Sequence, residues 1–137
     1  MSSAGYSGTP LAKKLGIKEG SRIYIWGLHE EYKKFFDAVP DQVRFEKAPA
    51  QTTDLAHIFV TQTADLKKQL ESMRSKLRPD STIWISWPKK SANVSTDVNE
   101  NVIREIALPM GFVDIKVCAV NEVWSGLKLV IRKELRK

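Results

Sequence analysis

Cysteine is scarce in this sequence of 137 residues, since Cys118 is the only one. A single cysteine cannot form an internal disulfide. The sequence also lacks an apolar run of the roughly 20 residues that a membrane-spanning helix needs. Its first residues, MSSAGYSGTP, lack the basic flank and the apolar core of a signal peptide. These absences predict a reduced, cytoplasmic protein without a membrane segment.

Recognisable catalytic and metal-binding sets are absent as well. The sequence has two histidines, His29 and His57, and no cysteine or carboxylate stands at a spacing from them that suggests zinc. No Ser-His-Asp set and no catalytic pair of carboxylates is recognisable. Cys118 lies within an alternating segment and is interpreted as an inert buried thiol. The sequence therefore assigns no catalytic residue, metal or cofactor, and it leaves open whether the protein is an enzyme.

Positive charge is in excess, but it is concentrated at the ends of the chain. The net charge is +6, from 22 lysines and arginines against 16 acids. Residues 132–137 carry four bases and one acid, and residues 1–19 carry three bases and one acid, so the rest is nearly neutral. A nucleic-acid interface usually shows a basic stripe with interleaved aromatics, whereas a charged tail is typical of a solvated end. Nucleic acid is thus a disfavoured partner, and weak nucleic-acid binding is kept as a minor alternative.

Strand-like and helix-like segments alternate along the chain. The apolar runs LAHIFVT (55–61) and TIWISW (82–87) are typical of strands buried on both faces of a parallel sheet. The alternating segments 114–121 and 127–133 flank a short connection, EVWSG, and this pattern predicts an antiparallel hairpin. Helices are predicted at residues 10–15, 30–39, 64–77 and 97–108, and further strands at residues 21–27 and 43–47.

This order of elements predicts a small three-layer Rossmann-like α/β fold, with a mostly parallel sheet and a C-terminal antiparallel β-hairpin. We divide the chain into an N-terminal arm with a short helix (1–20), a single α/β domain (21–133) and a basic tail (134–137). Each of the helices at 10–15, 64–77 and 97–108 has a candidate N-cap residue. These are Thr9, Thr63 and Asp97 respectively, the last with Glu100 three residues further on.

Five segments carry a resemblance to a known family: GYSGTPLAKKLGIKEG (5–20), WPKK (87–90), TD (96–97), REIALPMGFVDIKVCAV (104–120) and WSGLKLVIR (124–132). On these segments the chain resembles a bacterial group, the domain-of-unknown-function family numbered three thousand and fifty-two. The layout from LRPDSTIWISWPK onwards also resembles the second half of class I methyltransferases. The resemblance implies the fold of those enzymes, and it implies no established activity.

The turn after the first strand indicates whether the chain can bind the cofactor of a methyltransferase. Such folds need glycines there, where the backbone approaches the ligand at a helix N-terminus. In this sequence Gly27 stands alone between Trp26 and Leu28, and Glu46 is the only acid near the second strand that could hold a ribose. The sequence therefore predicts that S-adenosylmethionine does not bind usefully. A methyltransferase-like enzyme with an altered cofactor pocket is kept as the alternative.

The loop after the strand TIWISW holds the main candidate site. Lys89 and Lys90 follow this strand at the carboxyl edge of the sheet, where open α/β sheets bind their ligands. Ser95, Thr96 and Asp97 precede the next predicted helix, whose free N–H groups favour an anion. A solvated loop explains the same residues equally well, and Asp97 is more simply an N-cap.

Two features outside this loop complete the set of candidates. Ser7, in the Gly-rich segment GYSGTP, and Lys13, in the short helix, could act as a lid if that helix crosses the carboxyl edge; a structured arm is the simpler interpretation. Trp124, at the predicted hairpin turn, either folds back on the sheet or contacts a partner. The leading hypothesis is a non-catalytic module that binds a small anionic ligand or a protein partner at the carboxyl edge.

Overall fold

The architecture is known from a computed structural model, which describes residues 10–136. In chain order the main elements are α1 (Leu11–Leu15), β1 (Arg22–Trp26), β2 (Arg44–Glu46), β3 (Leu55–Phe59), α2 (Thr63–Lys76), β4 (Thr82–Pro88), α3 (Glu100–Ala107), β5 (Phe112–Ala119) and β6 (Trp124–Ile131). Short 3-10 turns occupy Tyr32–Phe35, Lys90–Ala92, Leu108–Met110 and Lys133–Leu135.

The six strands form one sheet in the order β2-β1-β3-β4-β6-β5. The first four strands run parallel, and β6 and β5 run antiparallel to their neighbours. In particular β3 and β4 are adjacent and parallel, with Leu55 opposite Thr82 and Phe59 opposite Ser86. The prediction of a mostly parallel Rossmann-like sheet with a C-terminal hairpin is confirmed. The chain places β2 on one side of β1 and β3 on the other, so the order of the strands reverses between β1 and β3. Folds of this kind bind ligands at such a point.

The two faces of the sheet are covered differently. One face, here called the helical face, packs against α2 and α3 through apolar side chains such as Ile58, Leu70 and Ile103. The opposite face, here called the arm face, packs against α1 and the segment 28–36. Both faces have fully buried cores, so the protein has three layers.

The described part of the N-terminal arm, residues 10–20, contributes to the arm-face core. Leu11 and Leu15 of α1 are buried, and the indole nitrogen of Trp84 donates a hydrogen bond of 2.9 Å to the carbonyl oxygen of Leu15. Gly16 ends the helix in a left-handed conformation, with φ of +85°. The helix thus lies on the face of the sheet and does not cross its carboxyl edge.

The helix predicted at residues 30–39 is wrong. Only a 3-10 turn at Tyr32–Phe35 forms in this segment. Tyr32, Phe35 and Phe36 of this segment nevertheless all pack on the arm face. However, a short segment ending at Pro40 gains little from helix propagation, and the aromatic side chains have low helix propensity. The contacts of Tyr32 with the sheet therefore decide the backbone path.

Within residues 10–136, no helix is long and apolar enough to cross a bilayer.

Candidate functional site

The carboxyl edge between β1 and β3 is the position at which this fold would hold a ligand. Gly27 follows β1 there with φ of +109°. A Cβ atom at this position would lie 2.7 Å from the carbonyl oxygen of Phe59, at the end of β3. The glycine is therefore required because two strand ends approach each other. This close approach leaves no room for a side chain between the two strands.

The N-terminus of α2, on the other side of β3, is occupied by a carboxylate of the protein itself. Thr63 donates its backbone N–H to Oδ1 of Asp97 over 2.7 Å, although the two residues are 34 positions apart. The hydroxyl of Thr96 donates to the carbonyl oxygen of Thr61 over 2.7 Å, which ties the same loop to the end of β3. An anion at a helix N-terminus is stabilised by the free N–H groups and the helix dipole. Asp97 already supplies that negative charge.

Two of the predicted helix caps are therefore wrong. Asp97 does not cap α3, because Asn99 accepts the N–H of Val102 over 2.9 Å and fills that role. Thr63 is the first residue of α2, and its N–H is capped by Asp97 from the loop after β4. Sequence spacing predicts only caps that come from neighbouring residues, so it could not identify a cap from a distant loop.

The one acid considered for a ribose is also engaged. Glu46 accepts hydrogen bonds from Nε of Arg22 (2.8 Å) and from the hydroxyls of Thr52 (2.7 Å) and Thr53 (2.5 Å). Burial by itself raises the pKa of the Glu46 carboxyl, but the hydrogen bonds from Thr53, Arg22 and Thr52 outweigh it and hold the pKa below its ordinary value. Glu46 therefore stabilises the connection between β2 and β3.

The predicted anion-binding lysines lie where β4 ends. The backbone N–H of Lys89 donates to the carbonyl oxygen of Val123 over 2.7 Å, which joins the loop to the β5–β6 turn. The side chain of Lys89 is half-buried, whereas Lys90 and Ser95 are exposed. Within residues 10–136, neither lysine has an ion-pair partner. The structure brings these residues to one loop with Thr96 and Asp97.

Of the two predicted lid residues, only Lys13 lies among the described residues, and it is not close to this loop. Lys13 is exposed on α1 and lines a shallow, mostly apolar depression of about 400 Å³ that also includes Ala38 and Pro40. Neither Lys89 nor Lys90 lines this depression. Ser7, with the rest of GYSGT and the predicted cap Thr9, lies outside the residues that the structure describes.

Trp124 lies in β6 and not in the hairpin turn, so that part of the prediction is wrong. It is paired with Pro88 of β4, and its ring packs edge-on against Phe59, with 5.1 Å between the ring centres. The turn itself lies at residues 120–123, where Asn121 accepts the N–H groups of Val123 and Trp124. The half-buried Trp124 therefore folds back on the sheet, and its contact with a partner stays a prediction.

One polar chain was not anticipated from the sequence. The hydroxyl of Tyr32 lies 2.9 Å from Nδ1 of His57, and Nε2 of the same ring lies 2.7 Å from Oγ of Ser86. All three side chains are fully buried, and burial lowers the pKa of His57 to about 3. The imidazole is therefore neutral. A substrate cannot reach a chain of fully buried groups, so we assign it a structural role in joining the segment after β1 to the sheet.

In the sequence, the only indication of this hydrogen-bonded chain was the presence of His57 and Ser86 inside two apolar runs. The hydrogen-bonding partners of these residues depend on strand register, which cannot be derived from the sequence. No cluster of three or more potential metal ligands exists among residues 10–136.

Comparison with known proteins identifies both a family and a fold. The profile of a family described as "Protein of unknown function (DUF3052)" matches residues 12–133. No curated protein sequence matches the chain closely enough to count as a relative.

Several solved methyltransferase structures are similar in fold to this chain. A SAM-dependent methyltransferase from Aquifex aeolicus superposes with a TM-score of 0.57 and 16% identity, covering 88% of this chain and 87% of that one. Fibrillarin from Aeropyrum pernix, which contains natively bound S-adenosyl-L-methionine, gives a TM-score of 0.59 and 16% identity over 88% of this chain and 73% of its own. A TehB-like SAM-dependent methyltransferase from Corynebacterium glutamicum gives 0.56 and 10%, over 89% and 85%. At such low identities these likenesses concern the fold alone.

Proposed function

The chain belongs to the DUF3052 family of proteins of unknown function and has a methyltransferase-like fold, and we propose that it is a non-catalytic binding module. Its ligand is an anionic group, free or carried by a protein partner. The group binds at the carboxyl edge of the sheet beside Lys89 and Lys90.

The observation that carries the non-catalytic part of the proposal is the position of Asp97. Its carboxylate accepts the first N–H of α2 over 2.7 Å, next to the point where the strand order reverses. An incoming cofactor with negative charge would have to displace this carboxylate, beside a turn in which a Cβ atom at Gly27 would already lie 2.7 Å from the carbonyl oxygen of Phe59. The only acid suited to a ribose, Glu46, is held by three hydrogen bonds.

Two properties of the loop after β4 support an anionic ligand. The backbone of Lys89 is fixed to Val123 by a hydrogen bond of 2.7 Å, so that the half-buried lysine starts from a defined position. Lys90 begins a 3-10 turn and is exposed. Two ammonium groups without an ion-pair partner among residues 10–136 attract negative charge at little cost in desolvation.

The enzyme alternative is favoured by one finding, namely that proteins with this fold include SAM-dependent methyltransferases. Isothermal titration calorimetry with S-adenosylmethionine separates the two candidates. We expect no binding at micromolar concentrations. A dissociation constant in the micromolar range or tighter would contradict the non-catalytic assignment, because it would require a cofactor pocket that opens.

Titration with inorganic phosphate tests the ligand. We expect the Lys89→Ala, Lys90→Ala double variant to weaken phosphate binding, with a stability change of no more than about 0.5 kcal/mol for loop lysines. The matched control is Lys67→Ala, Lys68→Ala, which removes two adjacent exposed lysines from α2. Equal phosphate affinity in the wild type and in the Lys89 and Lys90 variant would reject this site.

A further inference from the structure

Four lysines gather on the arm face of the sheet, beside α1. Lys116 of β5 and Lys128 of β6 are direct cross-strand partners, and Lys128 is also opposite Trp84 of β4. Registered partners share a face, so both lysines lie on the face that carries the Trp84 indole and α1. Lys14 and Lys18 come from α1 and the turn that follows it. We call these residues, Lys14, Lys18, Lys116 and Lys128, the basic strip.

Three members of the strip, Lys18, Lys116 and Lys128, are close enough to influence one another. The ammonium group of Lys14 donates a hydrogen bond of 3.3 Å to the carbonyl oxygen of Ala119, at the end of β5. Burial lowers the pKa of Lys128, and the positive charges of Lys116 and Lys18 lower it further. The helix α1 covers Trp84 but leaves Lys116 exposed and Lys128 half-buried. A concentrated positive charge therefore remains open to solvent next to α1.

Among residues 10–136, none of the ion pairs involves Lys18, Lys116 or Lys128. Residues 1–9 contain no aspartate or glutamate, so they cannot supply one either. Like charges directly opposite each other on neighbouring strands destabilise a sheet. Where a local rule is broken without a compensating contact, a functional site is the usual reason.

A β-bulge points Lys116 toward the strip. Asp114 is opposite Leu129, and Lys116 is opposite Lys128, so two steps along β5 correspond to one step along β6. In a regular strand, residues 114 and 116 would face the same side. The bulge at Ile115 instead leaves Asp114 on the helical face and turns Lys116 to the arm face. Bulges commonly re-aim a side chain next to a binding site.

Protection of the sheet edge explains only part of this arrangement. β5 is the last strand of the sheet, and a lysine together with a bulge is a common guard against pairing with another chain. Lys128, however, lies in β6, which is paired on both sides. An inner strand needs no guard, so edge protection leaves Lys128 unexplained.

We propose that the basic strip is a second anion site, which binds a ligand carrying several linked phosphate groups. All four cations are lysines. A lysine is a compact charge with three donors, whereas the planar fork of arginine matches a carboxylate. Phosphate oxygens point in several directions and can accept from several converging lysines at once. On this side Trp84 is buried and the half-buried Trp124 packs against Phe59, so residues 10–136 offer no stacking platform of the kind that single-stranded nucleic acids use.

Inorganic tripolyphosphate is the probe, and its dissociation constant is measured by isothermal titration calorimetry at low salt. We expect the Lys116→Met, Lys128→Met double variant to bind it about tenfold more weakly or worse, because two charge-assisted contacts are lost. The control is Lys67→Met, Lys68→Met, which should retain the wild-type affinity. The titration is repeated in the Lys89→Ala, Lys90→Ala background, where the same loss on changing Lys116 and Lys128 separates this site from the one proposed at the carboxyl edge.

The outcomes decide the assignment. Folding of the Lys116→Met, Lys128→Met variant is checked by circular dichroism. If that variant does not fold, the titration uses Lys116→Gln, which changes a single exposed residue. A parallel titration with ATP distinguishes a free phosphate chain from the triphosphate of a nucleotide, and both support a linked-phosphate ligand. Equal tripolyphosphate affinity in the wild type and the double variant would overturn the proposal. So would tighter binding of a glutamate-rich peptide than of tripolyphosphate at the strip.

Discussion

Charged side chains have different neighbours on the two faces of strand β5. On one face opposite charges are paired, and on the other face two like charges are adjacent. On the helical face, Asp114 accepts a hydrogen bond of 2.9 Å from Nε of Arg104, and the same guanidinium also pairs with Glu100. The hydrogen bond from Arg104 lowers the pKa of the Asp114 carboxyl. On the arm face, Lys116 is opposite Lys128, and neither lysine forms an ion pair with any of residues 10–136. The paired charges fasten α3 to the sheet, whereas the unpaired charges stay available for a ligand.

The largest expected effect concerns the buried polar chain, which belongs to the arm face. Folded His57 has its pKa lowered to about 3, whereas the unfolded residue has the ordinary value of 6.5. Below pH 6.5 the His57 side chain is protonated in the unfolded chain, whereas it stays neutral in the folded protein. The unfolding free energy therefore falls by up to about 1.4 kcal/mol per pH unit as the pH drops from about 6.5 towards about 3. Its contribution is fully present above pH 6.5.

Urea unfolding at a series of pH values measures this slope, with His57→Gln as the control. An amide keeps a donor and an acceptor for Tyr32 and Ser86 but does not titrate. The variant should lose the additional slope while other acid-sensitive groups act on both proteins alike. Identical pH profiles for the wild type and His57→Gln would show that this histidine is not held neutral by burial.

A smaller effect is expected on the helical face, at the start of α2. Asp97→Ala removes the acceptor of the Thr63 N–H, and loss of a helix cap costs about 1 kcal/mol. Asn99→Ala, which removes the local cap of α3, is the matched comparison. Chemical denaturation should give similar losses for both variants. No loss for Asp97→Ala would mean that the carboxylate is free, and the N-terminus of α2 would then be open to a cofactor.

The smallest effect compares the two sides of β5 directly. Lys128→Met removes a repulsion and should raise the unfolding free energy by about 0.5 kcal/mol. Arg104→Met breaks the pairs with Asp114 and Glu100, so it should lower the melting temperature. The two substitutions remove one positive charge each, which makes them matched. Changes of the same sign in thermal unfolding would remove the distinction between paired and unpaired charge.

Features set by contiguous residues could be predicted from the sequence. The apolar runs that became β3 and β4 identified the centre of the parallel sheet, and alternation identified the hairpin. The segment after β1 was mispredicted because the contacts of Tyr32 with His57 outweigh helical periodicity. The cap from Asp97 to Thr63 depends on two loops meeting in space.

The basic strip likewise could not be predicted from the sequence. Lys116 and Lys128 are on one face only because a bulge at Ile115 changes the register by one residue. Simple alternation along β5 would place Lys116 on the helical face, together with Asp114. The candidate lysines at 89 and 90 were found because they follow a recognisable strand end.

The most direct measurement of the difference between the two sides of β5 is a ¹H–¹⁵N NMR titration with inorganic tripolyphosphate. We expect amide signals around Lys18, Lys116 and Lys128 to shift with ligand concentration, while those of Arg104 and Asp114 stay in place. Shifts centred on Arg104 and Asp114, or no shifts at residues 116 and 128 at millimolar ligand, would contradict a phosphate site at the basic strip.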